Sequence, residues 1–140
     1  MLTSYPACFF KEDSGYSVVF PDLNWLSTCG SNLDEAFAMA IDCLAGHLFF
    51  CEKEGSAVGT ATPLVGINAA DIAAELGIEP EEMFVNIVSV DVAAYAKIHF
   101  EKSVKKTLTI PSWLNTMAMD QNINFSLVLQ EALKEKLQVE

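Results

Sequence analysis

No stretch of this 140-residue chain approaches the roughly 20 consecutive apolar residues that span a bilayer. The opening MLTSYPACFF has neither the basic start nor the small-residue cleavage site of a secretory signal, so the expected address is the cytoplasm. The four cysteines, Cys8, Cys29, Cys43 and Cys51, include no C-x-x-C pair and lie among apolar neighbours. The expectation is buried thiols in a reducing compartment rather than disulfides, with no redox role. Positive charge is scarce as well: eight lysines stand against nineteen Asp and Glu, for a formal net charge of −11. An acidic surface repels nucleic acid and suits basic protein partners. Apolar residues are abundant at 51%, enough to fill the core of one ordinary domain or two small ones.

The charge is unevenly spread. Residues 1–101 carry three lysines and fifteen acids, a net −12, whereas residues 102–140 carry five lysines and four acids, a net +1. The break falls at HFEKSVKK, which places a linker near 100–103 and divides the chain into domains at 1–100 and 101–140. The last forty residues can therefore approach phosphate although the whole chain is acidic.

In the first piece, YPACFFKEDSGYSVVFPDL reads as two strands, about 4–11 and 15–20, joined by a polar turn at Asp13, Ser14 and Gly15. A third short strand, NWLSTCG, follows. Asn32 with Glu35 three residues on has the form of a capping box. From Leu33 to about Cys51, Leu33, Phe37, Ala40, Ile41, Leu44 and Leu48 recur at helical spacing, giving one long core-facing helix that stops before Gly55. A loop over 55–66, a short helix near 69–76 ending at Gly77, and a return strand in MFVNIVSVDVAAY complete an order β-β-β-α-β.

In the second piece, KKTLTIPSWL alternates Thr107 and Thr109 with Leu108 and Ile110, the period of a strand with one polar and one apolar face, here spanning about 103–110. Pro111 suits the first position of a helix that runs to about Asp120. QNIN is a turn-rich break, and Ser126 is a favoured N-cap residue for a second helix with apolar Leu129, Ala132, Leu133 and Leu137. Lys134 and Lys136 near its end complement the helix dipole. A lone strand leaves its backbone groups without a ladder partner. A second copy would supply one, as a two-fold antiparallel ribbon with the helices packed behind, which argues for a dimer.

The segment KKTLTIPSWLNTMAMDQNINFSLVLQEALKEKL resembles the ribbon-helix-helix DNA-binding fold of the Arc and MetJ class, through the strand, Pro111 and both helices. The first piece is similar to the HicB antitoxin family. That likeness lies in Tyr5-Pro6-Ala7, Gly15-Tyr16, Phe20-Pro21-Asp22-Leu23, Gly30, Leu33, Glu35-Ala36, Ala40 and Val90-Asp91-Val92, and it departs from the family at Asn24-Trp25-Leu26. The resemblance implies an α+β protein with a partial RNase H-like N-terminal domain that lacks nuclease activity, and a C-terminal ribbon-helix-helix domain. It further implies an antitoxin of a type II toxin-antitoxin system that blocks HicA, a small basic toxin cleaving mRNA with a histidine, and that represses its own operon on operator DNA as a dimer or tetramer. No cofactor is implied. A ribbon-helix-helix regulator with a small-ligand sensor domain, in the manner of MetJ, is the alternative reading.

Site residues follow from these two likenesses. On a two-stranded ribbon in the major groove, Lys105, Thr107 and Thr109 share the face that meets base edges, while the amides of Ser126, Leu127 and Val128 hold a phosphate. Leu108, Ile110, Leu129 and Leu133 are the dimer contacts. Asp13, Asp22 and Trp25 are candidates for toxin contact. A metal nuclease would need converging carboxylates, yet YPACFF carries none, and Asp13, Asp22 and Asp34 fall in turns or at a helix start. Cys43, His47 and Cys51 share one helical stripe whose ends lie about 12 Å apart at 1.5 Å rise per residue, too far for one tetrahedral ion. Core packing is the expectation there, and His99 receives no role.

Overall fold

The computed structural model describes residues 1–140, which form two compact units, Met1–Lys102 and Ser103–Glu140. In the first, β1 (Thr3–Glu12) and β2 (Gly15–Phe20) form the hairpin, a 3-10 turn (Pro21–Leu23) leads to β3 (Leu26–Gly30), and α1 (Leu33–Glu54) follows. A long loop with a second 3-10 turn (Leu64–Gly66) then reaches α2 (Ala69–Leu76), β4 (Glu82–Val90) and α3 (Val92–His99). The sheet order is β3-β2-β1-β4 and every pairing is antiparallel. No helix is long and apolar enough to cross a membrane.

Side chains on a strand alternate between faces, and β1 is apolar on both. Tyr5, Ala7 and Phe9 enter one core with Val18, Phe20 and the α1 residues Ala36, Ala40, Leu44 and Ala45. Cys8 and Phe10 enter a second core with Val19 and Ala73 of α2. The unbroken apolar run PACFF is thus the mark of a strand covered on both faces. Phe9 lies at the centre of the first core, its ring 4.5 Å from that of Phe37 and stacked 4.9 Å from that of Phe84.

Helix α1 begins as its sequence directs. The Asn32 side chain accepts from the Glu35 amide at 2.9 Å, and Gly55 ends the helix in the left-handed region at φ 69°. The Glu35 carboxylate reaches back to the Ser31 amide and hydroxyl, one residue earlier than a capping box requires. The buried stripe centres on alanines, so the helix sits close to the sheet, while Phe37, Ile41 and Leu48 flank it and Leu33 stays 38% exposed. Gly30 permits this approach: a Cβ there would lie 2.4 Å from the Ala36 nitrogen.

The return strand is shorter than its sequence pattern suggests. It ends at Val90, and the Asp91 side chain accepts from the Ala94 amide at 3.1 Å to open α3. The alternation VSVDVAAY therefore hides a helix start, and Ala96 of that helix is buried. The cysteines are all free thiols, but only Cys8 is fully buried, whereas Cys29 is exposed and Cys43 and Cys51 are half-buried. Cys29 faces out because β3 is an edge strand with one covered side.

The second unit holds α4 (Ser112–Asp120) and α5 (Phe125–Leu137). Residues 102–111 adopt no strand, because a single chain offers their backbone no ladder partner. Pro111 is the N-cap of α4 rather than its first residue, at ψ 141°. Asn124, not Ser126, caps α5: its side chain accepts from the Leu127 amide at 3.1 Å. Asn at this position does the same work as Ser and falls two residues earlier, leaving Ser126 within the first turn.

Two substitutions test the packing. Phe9→Ala is expected to cost about 3–5 kcal/mol in chemical denaturation, as for a buried aromatic whose cavity cannot collapse. Gly30→Ala is expected to lower the melting temperature although it adds only a methyl group, because backbone rather than a movable side chain occupies the space.

Candidate functional site

The first unit fastens its long loop with polar contacts at one end of the sheet. Both oxygens of Asp22 accept from Thr62, from its amide at 2.8 Å and its hydroxyl at 2.7 Å, and the Tyr5 hydroxyl donates to the Gly59 carbonyl at 2.7 Å. A Cβ on Gly59 would lie 2.2 Å from the Asp22 carbonyl oxygen, so the loop runs against the turn after β2. Burial, and secondarily the Asp22 charge, raises the Tyr5 pKa and keeps its hydroxyl a donor. Asp22 thereby ties the loop to the turn after β2 through both carboxylate oxygens. No sequence period joins Tyr5, Asp22 and Thr62. The loop residues Gly59 and Thr62 carry no hydrophobic pattern through which the fastening could be read.

Asp13 is exposed in the hairpin turn, and Trp25 is 39% exposed at φ 61°, directly after Asn24 at φ 55°. Two successive left-handed residues at a non-glycine pair hold the Trp25 ring at the surface beside β3, a conformation that costs free energy and needs its surroundings to fix it. Here the Ser27 hydroxyl donates to the Trp25 carbonyl at 2.7 Å.

Between β1 and β2 on one side and the start of α1 on the other lies a concavity of about 190 Å³, lined by Glu12, Tyr16, Ser17, Cys29, Ser31 and Glu35 among others. Both carboxylates are engaged, Glu12 by the Ser17 hydroxyl and Glu35 by Ser31. The hydrogen bonds from Ser31 hold the Glu35 carboxyl below its ordinary pKa. No group of three or more His, Cys, Asp or Glu is placed to hold a metal ion. His47 and Cys51 meet at 3.6 Å within α1 and are half-buried, and His99 is exposed with its ring stacked 4.0 Å from that of Tyr95. Burial, together with a hydrogen bond to Asp42, raises the Tyr95 pKa.

In the second unit no residue is fully buried. Leu108, Ile110, Leu114, Phe125, Val128 and Leu129 line an open groove of about 610 Å³, together with Lys106, Asn115, Ala118, Ile123, Ser126 and Ala132. Lys105, Thr107 and Thr109 do not line it, whereas Lys106, Leu108 and Ile110 do. Leu133 is half exposed outside the groove lining. At the start of α5 the Leu127 and Val128 amides are occupied by the Asn124 side chain and carbonyl, at 3.1 Å each. The Phe125 and Ser126 amides make no bond to Asn124.

No protein-family model and no curated protein matches the chain. Among solved structures, a toxin-antitoxin complex from Streptococcus pneumoniae contains a chain that is 28% identical and matches with a TM-score of 0.61, covering 97% of this chain and 99% of that one. The antitoxin HicB of Burkholderia pseudomallei is 22% identical over 96% of this chain and 98% of its own, with a TM-score of 0.48. A chain of the HicA3 and HicB3 toxin-antitoxin complex is 19% identical over 61% of this chain and 94% of its own, with a TM-score of 0.49. The structural neighbours of this mixed α+β chain are thus HicB-type antitoxins and toxin-antitoxin complexes.

Two outcomes follow. Asn124→Ala is expected to destabilise α5 by about 1 kcal/mol, whereas Ser126→Ala, inside the first turn, changes stability far less; helix signal during denaturation separates them. The pKa of Glu35 is lowered in the folded chain, so the stability it contributes is present above the unfolded carboxylate range, near pH ~4.3, and disappears as pH falls through its folded value. Glu35→Gln is expected to flatten that part of the acid limb of a stability-versus-pH curve.

Proposed function

We propose that this chain is the antitoxin of a HicB-type toxin-antitoxin pair. The first unit, a partial RNase H-like module without nuclease chemistry, binds and blocks a small basic mRNA-cleaving toxin. The second dimerises as a ribbon-helix-helix and represses the operon on operator DNA. The observation that carries the reading is the likeness over nearly the whole length of both chains to a member of a toxin-antitoxin complex. Charge supports it independently: the net −12 of residues 1–101 suits a basic protein, and the net +1 of residues 102–140 tolerates phosphate. The second unit supports dimerisation through what it leaves open. Leu108, Ile110 and Leu129 surround an unfilled apolar groove, and the backbone of 103–110 has no ladder, two defects that pairing with a copy of the same segment removes together. Once paired, Lys105, Thr107 and Thr109 would share the outer face of the ribbon, toward base edges.

A small-ligand sensor is the weaker reading. The concavity beside β1 and α1 holds about 190 Å³, below the roughly 300–1,000 Å³ of small-molecule sites, and polar groups that line it are already bonded to one another.

Co-expression with a small basic protein, where one is encoded beside this chain, tests the reading, with RNA cleavage as the readout. A fragment of residues 1–102 is expected to suppress cleavage without binding DNA, and a cleavage assay unaffected by the folded fragment would place neutralisation elsewhere. For DNA, Thr107→Ala and Thr109→Ala are each expected to cost on the order of 1 kcal/mol at the operator and almost nothing on random duplex. Equal losses on both would remove these residues from sequence readout. Leu108→Pro is expected to abolish dimerisation through the second unit, measured by sedimentation.

A further inference from the structure

The sheet has two edges, and they differ. Strand β3 is five residues long and α1 begins directly behind Gly30. Strand β4 is nine residues long and pairs only with β1, from Thr3 opposite Val90 to Lys11 opposite Glu82 with no break in register, hence with no bulge. It contains neither proline nor lysine. Of the usual devices that blunt an edge strand, β4 therefore keeps only the charge of Glu82 at its start. Its outer side is accessible: Met83 is 42% and Ile87 40% exposed, and Glu82 and Asn86 are exposed as well. The Ile87 amide donates to the side chain of Asn86 at 2.9 Å, so it points away from β1. By the alternation of an antiparallel strand, the Met83, Val85 and Ser89 amides point the same way.

The charge around this edge selects its occupant. Glu79, Glu81 and Glu82 are exposed where β4 begins, Asp71 and Glu75 are exposed on α2, and the nearby Lys11 makes only a 4.0 Å contact with Glu81. A second copy of β4 would bring no cation to these carboxylates, since the strand contains neither lysine nor arginine. A cationic strand would. Along β4, Met83, Val85 and Ile87 present an apolar row on one face, while Glu82 and Asn86 share the other with Phe84, Val88 and Val90, which pack into the core under α1. A strand that sets apolar residues beside Met83, Val85 and Ile87, with Lys or Arg toward Glu82 and the exposed Glu79 and Glu81, matches this edge.

We infer that the outer edge of β4 is the docking edge for an extended, cationic segment of the partner protein, which joins the sheet as a fifth strand; this rests on the antitoxin reading and specifies how the first unit grips its target. Backbone hydrogen bonds supply the grip, the apolar row and Glu82 supply the choice of side chains, and exposed carboxylates speed the encounter.

Residue-resolved amide exchange tests it, on the full chain alone and in complex with the small basic protein whose RNA cleavage it suppresses. The Met83, Val85 and Ser89 amides are expected to slow by about tenfold or more on complex formation, while Phe84 and Val88, bonded to β1, are already slow in the free chain. Ile87→Lys, at an exposed position, is expected to keep the melting temperature and weaken the complex about tenfold or more, with Met83→Lys as a second variant should the first unfold. If the complex forms and silences the toxin while those three amides exchange as in the free chain, the edge inference is wrong and the antitoxin function stands. If they are already protected in the free chain, increasingly so with concentration, a second copy covers the edge and the inference fails. Absence of any complex overturns both.

Discussion

Strand β1 is the member on which the first unit depends, because it is paired on both edges and covered on both faces. Its register with β2 and β4 fixes the sheet, its odd-numbered residues fill the core under α1, and Cys8 and Phe10 fill the core under α2. A slip of one residue would exchange the two sets and place Phe9 where the smaller core under α2 lies. The central Phe9–Phe37–Phe84 cluster thus joins β1, α1 and β4 through one ring. Burial also raises the Cys8 pKa to about 11, which keeps this thiol protonated and unreactive.

From that member the functional surfaces are carried outward. The Tyr5 hydroxyl, on the same strand, holds the long loop at Gly59, and Asp22 holds it again at Thr62, so the loop is fixed by polar contacts rather than by a hydrophobic stripe. Loops with little apolar content are stable only when their backbone groups find such partners. The outer edge of β4 is the reverse case, a row of backbone groups of which the Ile87 amide alone has a side-chain partner, in Asn86. The second unit repeats this condition on a smaller scale. Its helices are capped and regular, yet none of its residues is fully buried, so its apolar area gains little until something fills the groove. An incomplete core of this kind is a physical reason for a protein to assemble, and charge decides with what.

Where the elements carried a periodic pattern and a local cap, the sequence was sufficient. The hairpin, α1 between Asn32 and Gly55, and α2 ending at Gly77 were legible because caps and turns are short-range chemistry. Two features were misread because two local signals competed: Asp91 interrupts an alternating run and starts α3, and Asn124 competes with Ser126 for the cap of α5. The alternating stretch 103–110 forms no strand in a single chain, which offers it no ladder partner. Asp13 and Trp25 are at the surface, and Asp22 is bonded to Thr62, forty residues away; no local pattern reports a contact of that range.

By itself the sequence determined the division of charge, the helical and strand periods, and the alternation that sets Thr107 and Thr109 apart from Leu108 and Ile110, since these depend on residue order alone. The tertiary structure decided which face of α1 lies inward, that β4 is left as an open edge, and that Asp22 meets Thr62. Each of those depends on which distant segment arrives beside the residue. Chain order does not specify that, and the packing of β1 against two cores at once does.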